Sequence, residues 1–254
     1  MVVEVIVVTR IRRFFLEEFL YQHRWIITRA VEIIAALTGI VFFKKYKSTN
    51  AKYFIYFLIY LSICDFLNTY TLYTGKGQFF YFLRETVFKY NYWWSTLYWK
   101  IGAIMFFVFF YNKILSNKKF KNIIKFSGLF FLLFSIIYIL LNFDDYFVRF
   151  FPPISILGAF IIFLCTVFYF IEVLLSDKIL VFYKSLNFYI SFAIFIWWLI
   201  ITPIVLYDIY MLHKDFNYIK LRFLIYLLAN ITMYSTFTFA LIWCKPELIK
   251  NELT

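Results

Sequence analysis

The stretch YFIYFLIYLSICDFLNTYTLYT, residues 53–74, decides the fold of this chain. It is long enough to cross the hydrocarbon core of a bilayer as an α-helix, which takes about 20 residues. Its one charged residue is Asp65, near the middle of the stretch. A carboxylate at that depth costs about 3 kcal/mol or more unless it faces a protein interior or a water-filled cavity. The sequence therefore predicts that other helices surround this one.

The composition of the whole chain is typical of a polytopic membrane protein. Of its 254 residues 64% are hydrophobic, and the mean hydropathy is +0.80. Soluble domains are about half apolar. We attribute the net charge of +12 to lysine-rich loops that contact the lipid bilayer, and we expect no nucleic-acid partner, because no basic face belongs to a folded soluble module. The cysteines lie in or beside apolar runs, which predicts reduced packing residues.

The apolar runs predict an all-α bundle of seven transmembrane helices. Residues 25–244 form this domain, and residues 245–254 form a short cytoplasmic tail. Residues 1–24 are either an amphipathic helix on the membrane surface or a flexible tail. The predicted spans are residues 25–43, 53–74, 93–112, 123–142, 152–175, 187–210 and 221–243.

The charges of the connecting loops predict the orientation of the bundle. Loops 44–52 and 113–121 are rich in lysine, whereas loop 143–150 is acidic. Basic loops of membrane proteins stay in the cytoplasm. We therefore expect the N-terminus outside and the C-terminus inside a bacterial cytoplasmic (inner) membrane.

Polar residues inside the predicted spans are candidates for a ligand-binding pocket. We expect Asp65 to pair with Lys100 or Arg29, because buried charges of opposite sign compensate each other's desolvation. One interpretation is a polar cavity that binds a ligand or relays protons. The other is a set of interhelical hydrogen bonds and ion pairs that fix packing, each contributing about 1 kcal/mol. The candidate residues are Glu32, Asp65, Asn68, Lys100, Asn230 and Tyr234.

Motifs of known enzyme classes do not occur in the sequence. The two histidines, His23 and His213, lie near membrane edges and outside any zinc-binding pattern. There is no GxSxG nucleophile turn and no glycine-rich phosphate loop. The seventh span carries no lysine in its apolar part, which argues against retinal. We expect a protein that is not an enzyme, with no catalytic residue, metal or cofactor.

Three stretches resemble small seven-helix membrane proteins common in AT-rich bacterial genomes. They are EIIAALTG (32–39), YFIEVLLSDKIL (169–180) and NITMYS (230–235). The resemblance implies the architecture and no activity. At the level of the fold the chain is also similar to the seven-helix sensory modules fused to some histidine kinases, although it carries no kinase domain.

Three functional hypotheses follow. The first is a sensory or accessory membrane module that binds a small or lipidic ligand in the polar pocket and signals through a partner protein at its cytoplasmic loops. The alternative is a small transporter or proton-coupled carrier that uses the midplane carboxylate of Asp65. A membrane enzyme that uses carboxylates without metal is a third hypothesis.

Overall fold

The computed structural model describes residues 2–210 and 215–246, and side chains for all of these except 2–15, 178 and 210. His213 and most of the predicted C-terminal tail lie outside the described residues. Throughout the described ranges the regular structure is helical, without a β-strand. The α-helices are α1 (Val2–Val41), α2 (Phe43–Tyr46), α3 (Ala51–Leu67), α4 (Tyr92–Ser95), α5 (Ile104–Ile114), α6 (Lys118–Leu141), α7 (Phe143–Tyr146), α8 (Pro152–Leu174), α9 (Leu186–Tyr210) and α10 (Phe216–Trp243).

Six helical segments of the described chain are long and apolar enough to cross a membrane. They correspond to the second to seventh predicted spans, so the prediction of a multi-pass helical membrane protein is confirmed. The seventh span and the orientation remain predictions. The six segments are Ala51–Tyr73, Tyr92–Ile114, Lys118–Leu141, Pro152–Leu174, Leu186–Ile209 and Phe216–Trp243.

The first predicted span, residues 25–43, lies in a longer helix than expected. Helix α1 is continuous from Val2 to Val41, with no break near residue 24, where the sequence analysis placed a domain boundary. No glycine or proline precedes Gly39 to interrupt the helix. The apolar part that follows Arg24 has 17 residues before the helix ends and contains both Arg29 and Glu32. This stretch is therefore shorter than the other six segments.

Helix α1 runs parallel to α10 from about residue 18 onward. Near one end Lys220 Nζ lies 2.8 Å from Glu18 Oε2. Near the other end Lys45, in α2, donates to the carbonyl of Ile242 at 2.9 Å. Helix α3 lies antiparallel on another side of α1. Arg29 and Glu32 of α1, Asp65 of α3 and Tyr234 of α10 lie in the region between these three helices.

The remaining long helices close a ring. Helix α10 packs on α9, α9 on α8, and α8 on α5, while α6 packs against both α5 and α8. Aromatic side chains fill the ring where α3 meets its neighbours. Phe54 meets Phe237 edge-on with centroids 4.9 Å apart, and Phe57 stacks on Phe106 at 3.9 Å. Such pairs favour the observed helix contacts beyond the burial of apolar area.

The span Tyr92–Ile114 is not a uniform α-helix. Between α4 and α5 the chain forms a π-helical segment, Thr96–Ala103. A π-helical turn widens the helix and is frequent at functional sites. A Cβ on Gly102 would lie 3.0 Å from the hydroxyl of Tyr60 and 3.0 Å from the carbonyl oxygen of Leu97, so only glycine fits there without a shift. We call residues 96–103 the π segment.

Gly128 sets the separation of α6 and α5. A Cβ at this position would lie 2.6 Å from Cγ1 and 3.0 Å from Cγ2 of Val108, whose β-branched side chain is stiff. We expect Gly128→Ala to lower the free energy of unfolding in detergent by about 1–2 kcal/mol, because overpacking outweighs the better helix propensity. In a Val108→Ala background the same change should have less than half this effect. An equal effect in both backgrounds would show that Val108 is not the obstacle.

Candidate functional site

Asp65 on α3 faces Arg29 on α1. Arg29 Nε lies 3.3 Å from Asp65 Oδ2, and the two side chains are 30% and 23% exposed. The hydroxyl of Tyr98, in the π segment, donates to Oδ1 of Asp65 at 3.3 Å. Of the two partners expected from the sequence, Arg29 and Lys100, the structure therefore selects Arg29.

Asn68 continues this network toward the end of the bundle. Its amide nitrogen lies 3.5 Å from the hydroxyl of Tyr98, and its Oδ1 accepts from Ser95 Oγ at 3.2 Å. Its backbone carbonyl accepts from the amide of Asn91 at 3.1 Å. Asn68 also begins a 3₁₀ segment, Asn68–Tyr73, that ends the second span. These bonds join α3 to the start of the third span and so fix the position of Tyr98.

Glu32 lies one turn after Arg29 on α1, and residues three apart share a helix face. Only 5% of it is exposed. Across the described residues its carboxylate forms no hydrogen bond and no ion pair, although it interacts electrostatically with Arg29 and Asp65. Two carboxylates thus share one guanidinium. Since an unpaired buried charge is costly, this group favours the binding of a proton or a cationic group.

Tyr234 on α10 belongs to the same group. It is 4% exposed and interacts electrostatically with Glu32 and Asp65. Phe237 lies edge-on to it at 6.0 Å and continues the apolar core beyond it. The group thus lies where α1, α3, α10 and the π segment meet. We call the set Arg29, Glu32, Asp65, Tyr98 and Tyr234 the acidic site.

The other two predicted pocket residues lie against α9. The indole nitrogen of Trp197 donates to Oδ1 of Asn230 at 2.7 Å. Lys100 Nζ lies 5.9 Å from the centroid of the Trp198 ring, and the acid that acts on it electrostatically is Asp208. The predicted pocket is therefore divided, with Lys100 and Asn230 outside the acidic site.

Glu172, near the C-terminal end of α8, caps a helix. Its carboxylate accepts from the backbone N–H of Ser116 at 2.8 Å and of Asn117 at 2.6 Å, just before α6. A carboxylate is stabilising at a helix N-terminus. We expect Glu172→Gln to lower the free energy of unfolding by about 1 kcal/mol, measured by denaturant unfolding in detergent. The variant Asp144→Asn, at an exposed position of the short helix α7, should leave it unchanged, and an equal loss in both variants would contradict the capping role.

Helix α2 contacts the C-terminal end of α10. Lys45 Nζ donates to the carbonyl of Ile242 at 2.9 Å, and the hydroxyl of Tyr46 donates to the carbonyls of Leu241 at 3.1 Å and Cys244 at 3.0 Å. Burial lowers the pKa of Lys45 and raises the pKa of Tyr46. These donors satisfy carbonyls that a helix C-terminus leaves free. Other lysines at this end are exposed, namely Lys44, Lys47, Lys113, Lys118, Lys119, Lys125 and Lys184. We call this surface the lysine-rich end.

No protein-family model, curated protein or solved structure matches this chain. The resemblance to small seven-helix bacterial proteins therefore stays a prediction. Within the described ranges, no three His, Cys, Asp or Glu side chains come together in a way that could hold a metal ion.

Proposed function

We propose that this chain crosses a bacterial cytoplasmic membrane seven times, with α1 from about residue 18 onward as the first span. The parallel packing of α1 on α10 supports this, because Glu18 pairs with Lys220 and Lys45 bonds to Ile242. A helix that packs beside a membrane-spanning helix from one end to the other crosses the membrane as well. The lysine-rich end would then face the cytoplasm, with the N-terminus outside.

The function that the geometry supports best is a sensory or accessory module that binds a small ligand in the acidic site. The carboxylate of Glu32 carries this proposal, because it is buried and unpaired beside the Arg29–Asp65 ion pair. Intramembrane ionisable groups that are kept at a cost mark ligand or ion pathways. A small ligand with a cationic or hydrogen-bond-donating group would satisfy the carboxylate. Its binding would be transmitted to a partner protein at the lysine-rich end.

A proton-coupled carrier is the second candidate, and the same carboxylate favours it. The sequence points to Asp65 as the proton carrier, but Asp65 is bound by Arg29 and Tyr98. Glu32 has neither kind of partner and can accept a proton without breaking an ion pair. We therefore assign the proton-binding step of this alternative to Glu32.

Proton flux separates the two candidates. The full chain is reconstituted in liposomes with a pH-sensitive dye inside, and a potassium diffusion potential drives proton entry. A carrier shows flux above protein-free liposomes that is lost in Glu32→Gln and kept in Asp144→Asn. Absence of flux in the wild type removes a carrier that passes protons without a co-substrate. Flux that persists in Glu32→Gln removes the role of this carboxylate.

Partner binding tests the sensory module. The protein is cross-linked in native membranes, extracted in mild detergent and purified. A stoichiometric partner is expected with the wild type and with a control variant carrying Lys76→Gln and Lys89→Gln at the other end of the bundle. It is expected to be lost when Lys118 and Lys119 are both changed to glutamine. Purification without any stoichiometric partner removes the sensory module.

A further inference from the structure

Lys100 is a cation inside a membrane span whose side chain lacks a counter-ion. In the part of the chain that the structure describes, its ammonium forms neither a hydrogen bond nor an ion pair. Its ammonium lies 5.9 Å from the centroid of the ring of Trp198, which is 2% exposed. A cation–π contact offsets only part of the lost hydration of an ammonium group.

Asp208 acts electrostatically on Lys100 but is already bound by other groups. Its Oδ1 accepts from the hydroxyl of Tyr218 at 2.6 Å, and its Oδ2 pairs with Arg222 at 3.1 Å. A carboxylate with a phenol on one oxygen and a guanidinium on the other has its charge largely compensated. Asp208 therefore leaves the ammonium of Lys100 in need of an anion.

Thr96 adds a second unsatisfied group to the π segment. It is 1% exposed, and its hydroxyl has no hydrogen-bond partner among the described residues. It lies four residues before Lys100, which places both on neighbouring turns of the π helix. Buried hydroxyls are normally hydrogen-bonded, so an orphaned one calls for an explanation. The π segment thus carries two donors, four residues apart, that have no hydrogen-bond partner among the described residues.

We propose that Thr96 and Lys100 bind a carboxylate group that reaches the site within the membrane. One ammonium neutralises one negative charge, and the ammonium and the hydroxyl match the two oxygens of a carboxylate. A phosphate with two charges would remain under-compensated. The carboxylate belongs either to a fatty acid or to a short-chain organic acid. This carboxylate site is separate from the acidic site and does not depend on its function.

Thermal stability of the full chain in nanodiscs of neutral phosphatidylcholine tests the proposal. We expect a saturating carboxylate to raise Tm by about 5 °C. Oleate and hexanoate are the probes, and methyl oleate is the uncharged control. A shift with oleate alone identifies a lipidic ligand, and a shift with both identifies the carboxylate as sufficient. Absence of a shift with either acid, or an equal shift with methyl oleate, overturns the proposal.

Four variants locate the site. Lys100→Met should abolish the shift, Lys100→Arg should keep it, and Thr96→Val should reduce it by at least half. Lys76→Met removes a lysine from an exposed loop and should leave the shift unchanged. If Lys100→Met does not fold, Thr96→Val and Lys100→Arg decide. A shift that is the same in Thr96→Val as in the wild type, or in a folded Lys100→Met, overturns the proposal. Glu32→Gln should keep the shift, because the carboxylate site does not depend on the acidic site. A result that contradicts the proposed function of the acidic site therefore does not affect this test.

Discussion

Replacing Arg29 with methionine is expected to lower the free energy of unfolding by about 3 kcal/mol. The change leaves Asp65 as a largely enclosed carboxylate without its cation, and breaking a buried ion pair costs about 3–5 kcal/mol. The pair is 23–30% exposed, which places the expected effect at the lower end of that range. Glu32 adds to the loss, because its carboxylate and that of Asp65 repel each other and both lose the guanidinium that acts on them.

The sharing of one guanidinium makes the effects of the two partners unequal. In Asp65→Asn the guanidinium of Arg29 keeps a carboxylate nearby, that of Glu32, so we expect a loss of about 1–2 kcal/mol. The double variant Arg29→Met with Asp65→Asn should recover part of the loss of Arg29→Met. Denaturant unfolding in detergent at pH 7 measures all three. If Asp65→Asn costs as much as Arg29→Met, Glu32 does not share the guanidinium.

A matched control is available on the surface of the same protein. Arg149 pairs with Asp145 one helical turn away, and both side chains are well exposed, at 66% and 42%. Exposed pairs at this spacing contribute about 0.3–0.5 kcal/mol. Arg149→Met should therefore change the stability little. An equal loss of stability in Arg29→Met and Arg149→Met would show that the enclosed Arg29–Asp65 pair contributes no more to stability than an exposed pair.

The sequence predicts those helices of this protein that are long, continuous apolar runs. Six of the seven predicted spans match helices that can cross a membrane. The length of α1 is missed, because its first half has no glycine or proline to stop it yet is too charged to suggest a span. The π segment is missed as well. Its residues carry no local signal for a widened turn, which follows from packing against neighbouring helices.

The sequence predicts most residues of the candidate site, but it does not predict which of their side chains pair with each other. Depth in the membrane selects Asp65, Glu32 and Tyr234, but it leaves Arg29 and Lys100 as equal partners for Asp65. Only the helix arrangement decides between them. Tyr98 is missed because tyrosines are common in this chain and a phenol at a membrane boundary is ordinarily an interfacial anchor. Tyr98 lies only two residues before Lys100. This spacing does not reveal that Tyr98 bonds to Asp65, whereas Lys100 lies against Trp198 on α9.

Glu32→Gln is expected to raise the free energy of unfolding by about 1–2 kcal/mol at pH 7. Glutamine keeps the shape of the side chain and its capacity for hydrogen bonds, but it removes a buried charge that lacks a partner. Removal of the charge also releases Arg29 to pair with Asp65 alone, as the 3.3 Å geometry already favours. Thermal and denaturant unfolding of the two proteins in the same detergent measure the change, with Asp144→Asn as the control for loss of an exposed acid.

The sign of the change in the free energy of unfolding distinguishes a functional role of Glu32 from a structural one. A residue whose removal stabilises the protein is retained for function, because groups at functional sites are commonly kept at a cost in stability. We therefore expect the stabilised Glu32→Gln protein to lose ligand response or proton flux. If instead it loses more than about 1 kcal/mol of stability, Glu32 is a structural partner of Arg29. Both proposed functions then lack their unpaired carboxylate, and the acidic site is a packing element between α1, α3 and α10.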